Sequence, residues 1–174
     1  MIYCAFLRGV NVNGRAMKMA EVCEVFRAAG MERVSSVLAT GNILFQSALP
    51  AAELRGGLER AMSARYSCGV SMFVKSAEEI KAILEGSPFE RNTDLHVYAF
   101  ISERGFEKTL AEEFAQITPA AREAAAVQDG TFYWQVPKGL TLDAGFSKIL
   151  GRKELKEEFT SRNLNTIQKI QDKM

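Results

Sequence analysis

Arg8-Gly9-Val10-Asn11-Val12-Asn13-Gly14-Arg15-Ala16 sets two glycines between two arginines, with four residues from one glycine to the next. A G-x4-G spacing is half of a phosphate-binding loop, in which backbone amides cradle phosphate oxygens. Arg15 stands where such a loop carries lysine, and Ala16 where it carries a magnesium-binding hydroxyl. Those two departures argue against nucleoside triphosphate hydrolysis. A simpler chemistry survives them: turn amides, flanked by Arg8 and Arg15, hold a lone anion. The competing reading is a strand-to-helix connection whose asparagines hydrogen-bond their own backbone.

Three other places carry reactive or hydrogen-bonding groups. Ser147-Lys148 has the composition of a nucleophile–base pair for acyl transfer. Adjacent helical positions diverge by about 100°, so a helix N-cap serine beside a surface lysine fits better. A helix start with Lys148 also suits an anion. His96, the sole histidine, lies in a strand pattern with Asp94 and Tyr98 on its face and Leu95, Val97 and Ala99 on the other. Without a positioned partner it reads as a half-exposed strand residue rather than a general base. Thr160-Ser161-Arg162-Asn163-Leu164-Asn165-Thr166 crowds hydrogen-bonding groups at a helix entrance, more than one cap requires.

Composition narrows what these groups can serve. With 22 Lys+Arg against 21 Asp+Glu, the chain lacks the basic excess that phosphate neutralisation demands. This argues against nucleic-acid binding. Cys4, Cys23 and Cys68 are odd in number and widely spaced, so they read as reduced thiols of a cytoplasmic protein. With one histidine they do not make a four-ligand zinc site. No cofactor signature is present. Met1–Leu7 meets Arg8 at once and reads as neither leader peptide nor membrane span. At 174 residues and 47% hydrophobic content, the chain can bury a core without staples.

The elements that must position these groups follow from periodicity. Ile2–Leu7 reads as a strand. Met19, Val22, Cys23 and Phe26 line a helix near Met17–Ala29 that stops at Gly30. Val34–Thr40 and Ile43–Ser47 read as a hairpin, with Gly41-Asn42 as its two-residue turn. A helix over Ala51–Tyr66 and a strand over Val70–Lys75 follow. The order β-α-β-β-α-β is that of the ferredoxin-like sheet. Ser76-Ala77-Glu78-Glu79 is a capping box opening the next helix.

Beyond it come a strand at Leu95–Ile101, a helix carrying Phe106, Leu110, Phe114 and Ile117, and a hairpin turning at Asp129-Gly130. Helices near Ser147–Glu157 and Asn163–Asp172 close the chain. The fold class expected is α+β: two consecutive ferredoxin-like subdomains, residues 1–75 and 76–174. The second is expected to lack its last strand and to end in helices. Tyr3, Phe6 and Phe45 read as core rather than as an RNA-stacking platform, since the RNA-recognition signature is missing. Tyr133 and Trp134 read as core or subunit-contact residues.

Several segments together resemble a known family. They are Leu7-Arg8-Gly9-Val10-Asn11-Val12-Asn13-Gly14, Thr40-Gly41-Asn42 with Phe45, Ser87-Pro88-Phe89, Ser147-Lys148, and Arg162-Asn163 with Thr166. In order and spacing the chain is similar to the bacterial family catalogued as domain of unknown function 1697. The resemblance implies two α+β subdomains of ferredoxin-like character and carries no established activity. Asn13, Ala39-Thr40, Ser87 and Leu164 depart from the family's usual residues.

The reading that follows is a small-ligand binding protein, or an enzyme of undefined reaction, for an anionic or phosphorylated metabolite. Its ligand-binding residues are expected to be Arg8, Asn11, Asn13, Asn42, Lys148, Arg162 and Asn163, all in loops or at helix entrances. The rival class is a structural module, monomeric or a homodimer through a sheet edge or face. A weak single-stranded nucleic-acid binder is the third reading. No membrane partner is implied.

Overall fold

Ile2–Leu7 is an unbroken apolar run, the pattern of a strand buried on both faces. In the computed structural model, which describes residues 1–12 and 15–174, it is the strand β1 (Ile2–Leu7). The chain forms two compact units, Met1–Lys81 with Lys169–Met174, and Ala82–Gln168. Each holds one four-stranded antiparallel sheet.

In the first unit β1 is followed by the short strands β2 (Asn11–Val12) and β3 (Arg15–Ala16), then helix α1 (Met19–Ala28). Strands β4 (Glu32–Ser36) and β5 (Asn42–Gln46), helix α2 (Ala51–Tyr66) and strand β6 (Met72–Ser76) complete it. The sheet order is β4-β5-β1-β6. Alternation sends Tyr3, Ala5 and Leu7 into a core with Val22, Cys23 and Phe26 of α1 and Leu54, Leu58 and Met62 of α2. On the opposite face Cys4, Phe6, Leu44 and Phe73 are buried as well.

Helix α3 (Ala77–Glu85) begins directly after β6. Its capping box forms as expected: Glu79 Oε2 accepts from the Ser76 amide at 2.8 Å, and Ser76 Oγ accepts from the Glu79 amide at 3.3 Å. The second unit continues with β7 (Leu95–Ser102), α4 (Phe106–Ala115), β8 (Ala124–Gln128) and β9 (Thr131–Pro137). It ends with α5 (Gly145–Leu150), α6 (Lys153–Lys156), β10 (Phe159–Asn163) and α7 (Leu164–Gln171). Its sheet order is β10-β7-β9-β8. The aromatic rings of Phe100, Phe114, Phe132 and Trp134 gather around Phe146, with centroids 5.2 to 6.2 Å away.

Counted within its own unit, each sheet places its fourth strand beside the first, the first beside the third, and the second at the far edge. Both units therefore have the complete ferredoxin-like order. The expectation that the second lacks its last strand is corrected: β10 is that strand. It pairs only with β7, at the sheet edge, and buries Phe159 and Thr160 while Ser161, Arg162 and Asn163 stay half-exposed. An edge strand of that polarity has the composition of a turn.

Three local readings also change. The Gly41-Asn42 turn is a longer connection, residues 37–41, closed by the Val37 amide donating to the Asn42 carbonyl at 2.9 Å. The helix expected from Ser147 starts at Gly145 and breaks after Leu150 into α5 and α6, with Arg152 extended between them at ψ 139°. The Gly9–Ala16 segment carries the antiparallel pair β2–β3 rather than a loop leading straight into a helix. The Asp129-Gly130 turn is as expected, with φ of 49° and 75°, both left-handed.

Candidate functional site

The seven residues expected to bind ligand divide between the two units. Arg8, Asn11, Asn13 and Asn42 belong to the first, and Lys148, Arg162 and Asn163 to the second. Asn13 lies outside the described residues, and Asn11 lies in β2.

Arg8 follows the last residue of β1, and its amide donates to the Ser71 carbonyl at 2.9 Å. That bond carries the β1–β6 pairing one residue past Leu7↔Met72. The alternation puts Arg8 on the Phe6 side of the sheet, away from α1 and α2. Its Nη1 is shielded from solvent. The turn beside it is tightly built. Gly41 has φ of 78°, and a Cβ there would lie 2.7 Å from Val10 Cγ1 and 3.1 Å from Leu7 Cβ. Only glycine meets both conditions.

Asn42 is fully buried and sits opposite Phe6 in the sheet. Its Nδ2 donates to the Val37 carbonyl at 2.9 Å and to Thr40 Oγ1 at 3.0 Å. The side chain thus braces the residue 37–41 turn that its own carbonyl closes.

In the second unit, successive residues of β10 face opposite ways. Arg162 sits opposite Ala99 and Asn163 opposite Tyr98. The sheet therefore does not bring these two side chains to one face. Arg162 Nη1 donates to Thr160 Oγ1 at 2.7 Å and to the Ser161 carbonyl at 2.9 Å, which holds the guanidinium along its own strand. Thr160 is buried. Lys148 is exposed on the short helix α5. Its neighbour Ser147 donates its hydroxyl to the Thr141 carbonyl, so the helix has no serine N-cap; the cap position is Ala144.

Asn163 joins two features that sequence reasoning kept apart. Its Oδ1 accepts from the Asn165 amide at 2.9 Å, capping α7. This fixes the amide orientation, so Nδ2 faces His96 Nδ1 at 2.9 Å as the donor. His96 Nδ1 accepts, and the neutral ring carries its proton on Nε2. The His96 partner was not visible in sequence because sixty-seven residues separate the pair. A strand assignment for Phe159–Asn163 is the signal that would have found it.

The buried carboxylates are structural. Glu123 accepts from Trp134 Nε1 at 3.0 Å and from the Ala120 amide at 2.8 Å. Glu107 Oε2 accepts from the Gly105 amide at 2.6 Å. Among the described residues, no three of His, Cys, Asp and Glu cluster as a metal site requires. Cys4 and Cys23 are buried, and burial first of all pushes the Cys23 thiol up in pKa. Tyr3, Phe6 and Phe45 are at most 2% exposed, so their faces present no stacking platform for bases. A cavity of about 460 Å³ lies in the first unit, with Met1, Met31, Glu32, Gln46, Ser47 and Leu49 among its walls. Among the described residues, none of the candidates lines it.

Two sheets with one strand order, each backed by helices, define a tandem ferredoxin-like α+β protein. Among the described residues no helix is long and apolar enough to cross a membrane. The chain belongs to the family described as protein of unknown function (DUF1697), whose model matches residues 1–133. No curated protein matches it. Among solved structures it is similar to the conserved bacterial protein SP0830 from Streptococcus pneumoniae. The two are 23% identical over 99% of this chain and 97% of that one, with a TM-score of 0.79. That likeness extends the shared fold over the whole chain.

Proposed function

We propose that this protein binds a small anionic ligand of the phosphorylated-metabolite class, as a cytoplasmic binding protein or as an enzyme acting on that ligand. The observation that supports it is the setting of Arg162. Thr160 and the Ser161 carbonyl hold its Nη1, so the guanidinium is oriented before any ligand arrives. A planar fork held in one orientation matches a phosphate or carboxylate bidentately and loses little freedom on binding. Arg8, at the end of β1 beside the tight Gly41 turn, is the other guanidinium the reading assigns to an anion. Asn42 supports the reading indirectly, by fixing that turn.

A thermal-shift screen against phosphorylated metabolites and nucleotides tests it. A ligand present at a hundred times its Kd should raise the midpoint by roughly 5 to 10 °C. Arg162→Ala or Arg8→Ala should abolish that rise. The proposal fails if no phosphorylated compound stabilises the wild type. It fails equally if the stabilisation survives in both variants.

A further inference from the structure

Each four-stranded sheet has two edges, and three of the four are blunted. Edge strand β4 carries Glu32 and Arg33, and its pairing with β5 shifts register between Glu32 and Ser35. Such an irregularity twists an edge away from further pairing. At β6, Glu59 of α2 accepts the Met72 amide at 2.9 Å, and Lys75 adds a charge. Edge strand β10 carries Arg162 and runs directly into α7.

The fourth edge, β8, has none of these devices. Its sequence is Ala124-Ala125-Ala126-Val127-Gln128, without charge or proline. It pairs with β9 in unbroken register. Its residues are half-exposed or exposed. A regularly paired, uncharged edge with mostly short side chains is a template for another strand.

We infer that β8 is a homodimer interface, in which the β8 strands of two copies pair antiparallel about a two-fold axis. The strand suits itself as a partner. Opposite residues of an antiparallel pair share one hydrogen-bonding type, so a strand paired with its own copy must be centred on a residue. The centre of β8 is Ala126, whose methyl group allows close approach across the axis. That register sets Ala124 opposite the partner's Gln128 and Ala125 opposite the partner's Val127.

Val127 and Ala125 lie opposite Phe132 and Trp134 of β9, on the side of the aromatic core. Val127 is nevertheless 41% exposed. Pairing would cover it with the partner's Ala125 and join the two cores across the axis. Charge agrees with the direction. Exposed Arg122 precedes the strand and exposed Asp129 follows it, so antiparallel pairing brings each arginine to the partner's acidic end. The product is a continuous eight-stranded sheet.

The experiment is sedimentation equilibrium on the intact chain. The wild type at about 100 µM should show a mass near twice 19.3 kDa and dissociate on dilution. Ala126→Lys sets two like charges across the axis and should be monomeric at the same concentration, with an unchanged circular dichroism spectrum. If that variant misfolds, Ala126→Cys replaces it: mild oxidation should give a covalent dimer that the wild-type thiols do not form. A monomeric wild type overturns the inference. So does a dimer that persists in folded Ala126→Lys, or an Ala126→Cys protein that does not cross-link.

Discussion

The two sheets share a strand order and differ in what covers them. In the first, two full helices lay rows of medium-sized side chains on the sheet: Val22 and Cys23 beside Phe26 from α1, Leu54, Leu58 and Met62 from α2. Among the described residues, ring-to-ring contacts in that core are Tyr3 with Phe45 and Phe26 with Phe45. In the second, α4 is joined by the six-residue α5 and the four-residue α6, which adds Leu155, each too short to present a long apolar stripe. One large side chain, Phe146, compensates by touching four other rings. The same topology is thus covered either by a row of medium side chains or by one aromatic hub. A hub concentrates the consequences of a single change.

The largest expected effect breaks that comparison directly. Phe146→Ala removes a fully buried ring at the centre of the cluster and should cost about 3–5 kcal/mol. Leu58→Ala removes one member of a row in the first unit and should cost less, toward the low end of about 2–5 kcal/mol. Urea unfolding measures both, with Trp134, the sole tryptophan, reporting on the second unit by fluorescence. Equal losses would show that Phe146 is no hub.

The next effect concerns a buried hydroxyl. Tyr133 donates to the Ile83 carbonyl at 2.7 Å, as Tyr3 donates to the Leu49 carbonyl at 2.9 Å in the first unit. Burial, with Asp129 adding to it, pushes the Tyr133 phenol up to about 12 from an ordinary value of 10.0. The unfolded chain therefore ionises this phenol first as pH rises. Its stabilising contribution is complete below pH 10 and is lost as pH climbs towards 12, by roughly 2–3 kcal/mol at most. Tyr133→Phe should flatten that part of the stability–pH curve. An unchanged alkaline slope in the variant would assign the loss to other groups.

Much of the fold was legible because local signals and tertiary structure agree. Ile2–Leu7 and Ala51–Tyr66 are a strand and a helix with the bounds periodicity gives them. The Ser76–Glu79 box and the Asp129-Gly130 turn are local chemistry, complete within four residues. What escaped depends on partners far along the chain. Residues 159–163 form a strand only because β7 is there to pair with them. The β2–β3 pair is two residues on each side, too short for periodicity to mark. The candidate site follows the same rule. Asn42 and Asn163 read as loop or helix-entrance groups in sequence; they lie at the ends of β5 and β10, where Asn42 braces its turn and Asn163 reaches His96.

Asn163 also gives the smallest and most discriminating test. Both fourth strands pass into a helix without an intervening residue, β6 at Ser76 and β10 at Asn163, and each junction residue caps the helix that follows. Ser76→Ala and Asn163→Ala should each cost about 1 kcal/mol, the ordinary value of an N-cap. The junctions then part company, because only Asn163 has a second partner. Asn163→Asp keeps an oxygen to cap α7 but replaces the donor facing His96 with an acceptor. The ring must then turn its proton to Nδ1 to complete the bond. The chain has one histidine, so nitrogen-15 NMR of the imidazole reads the change without assignment. The neutral wild-type ring should show the Nε2–H pattern and the neutral Asn163→Asp ring the Nδ1–H pattern, while Ser76→Ala leaves it untouched. Identical imidazole spectra in wild type and Asn163→Asp would mean that Asn163 caps its helix as Ser76 does and nothing more.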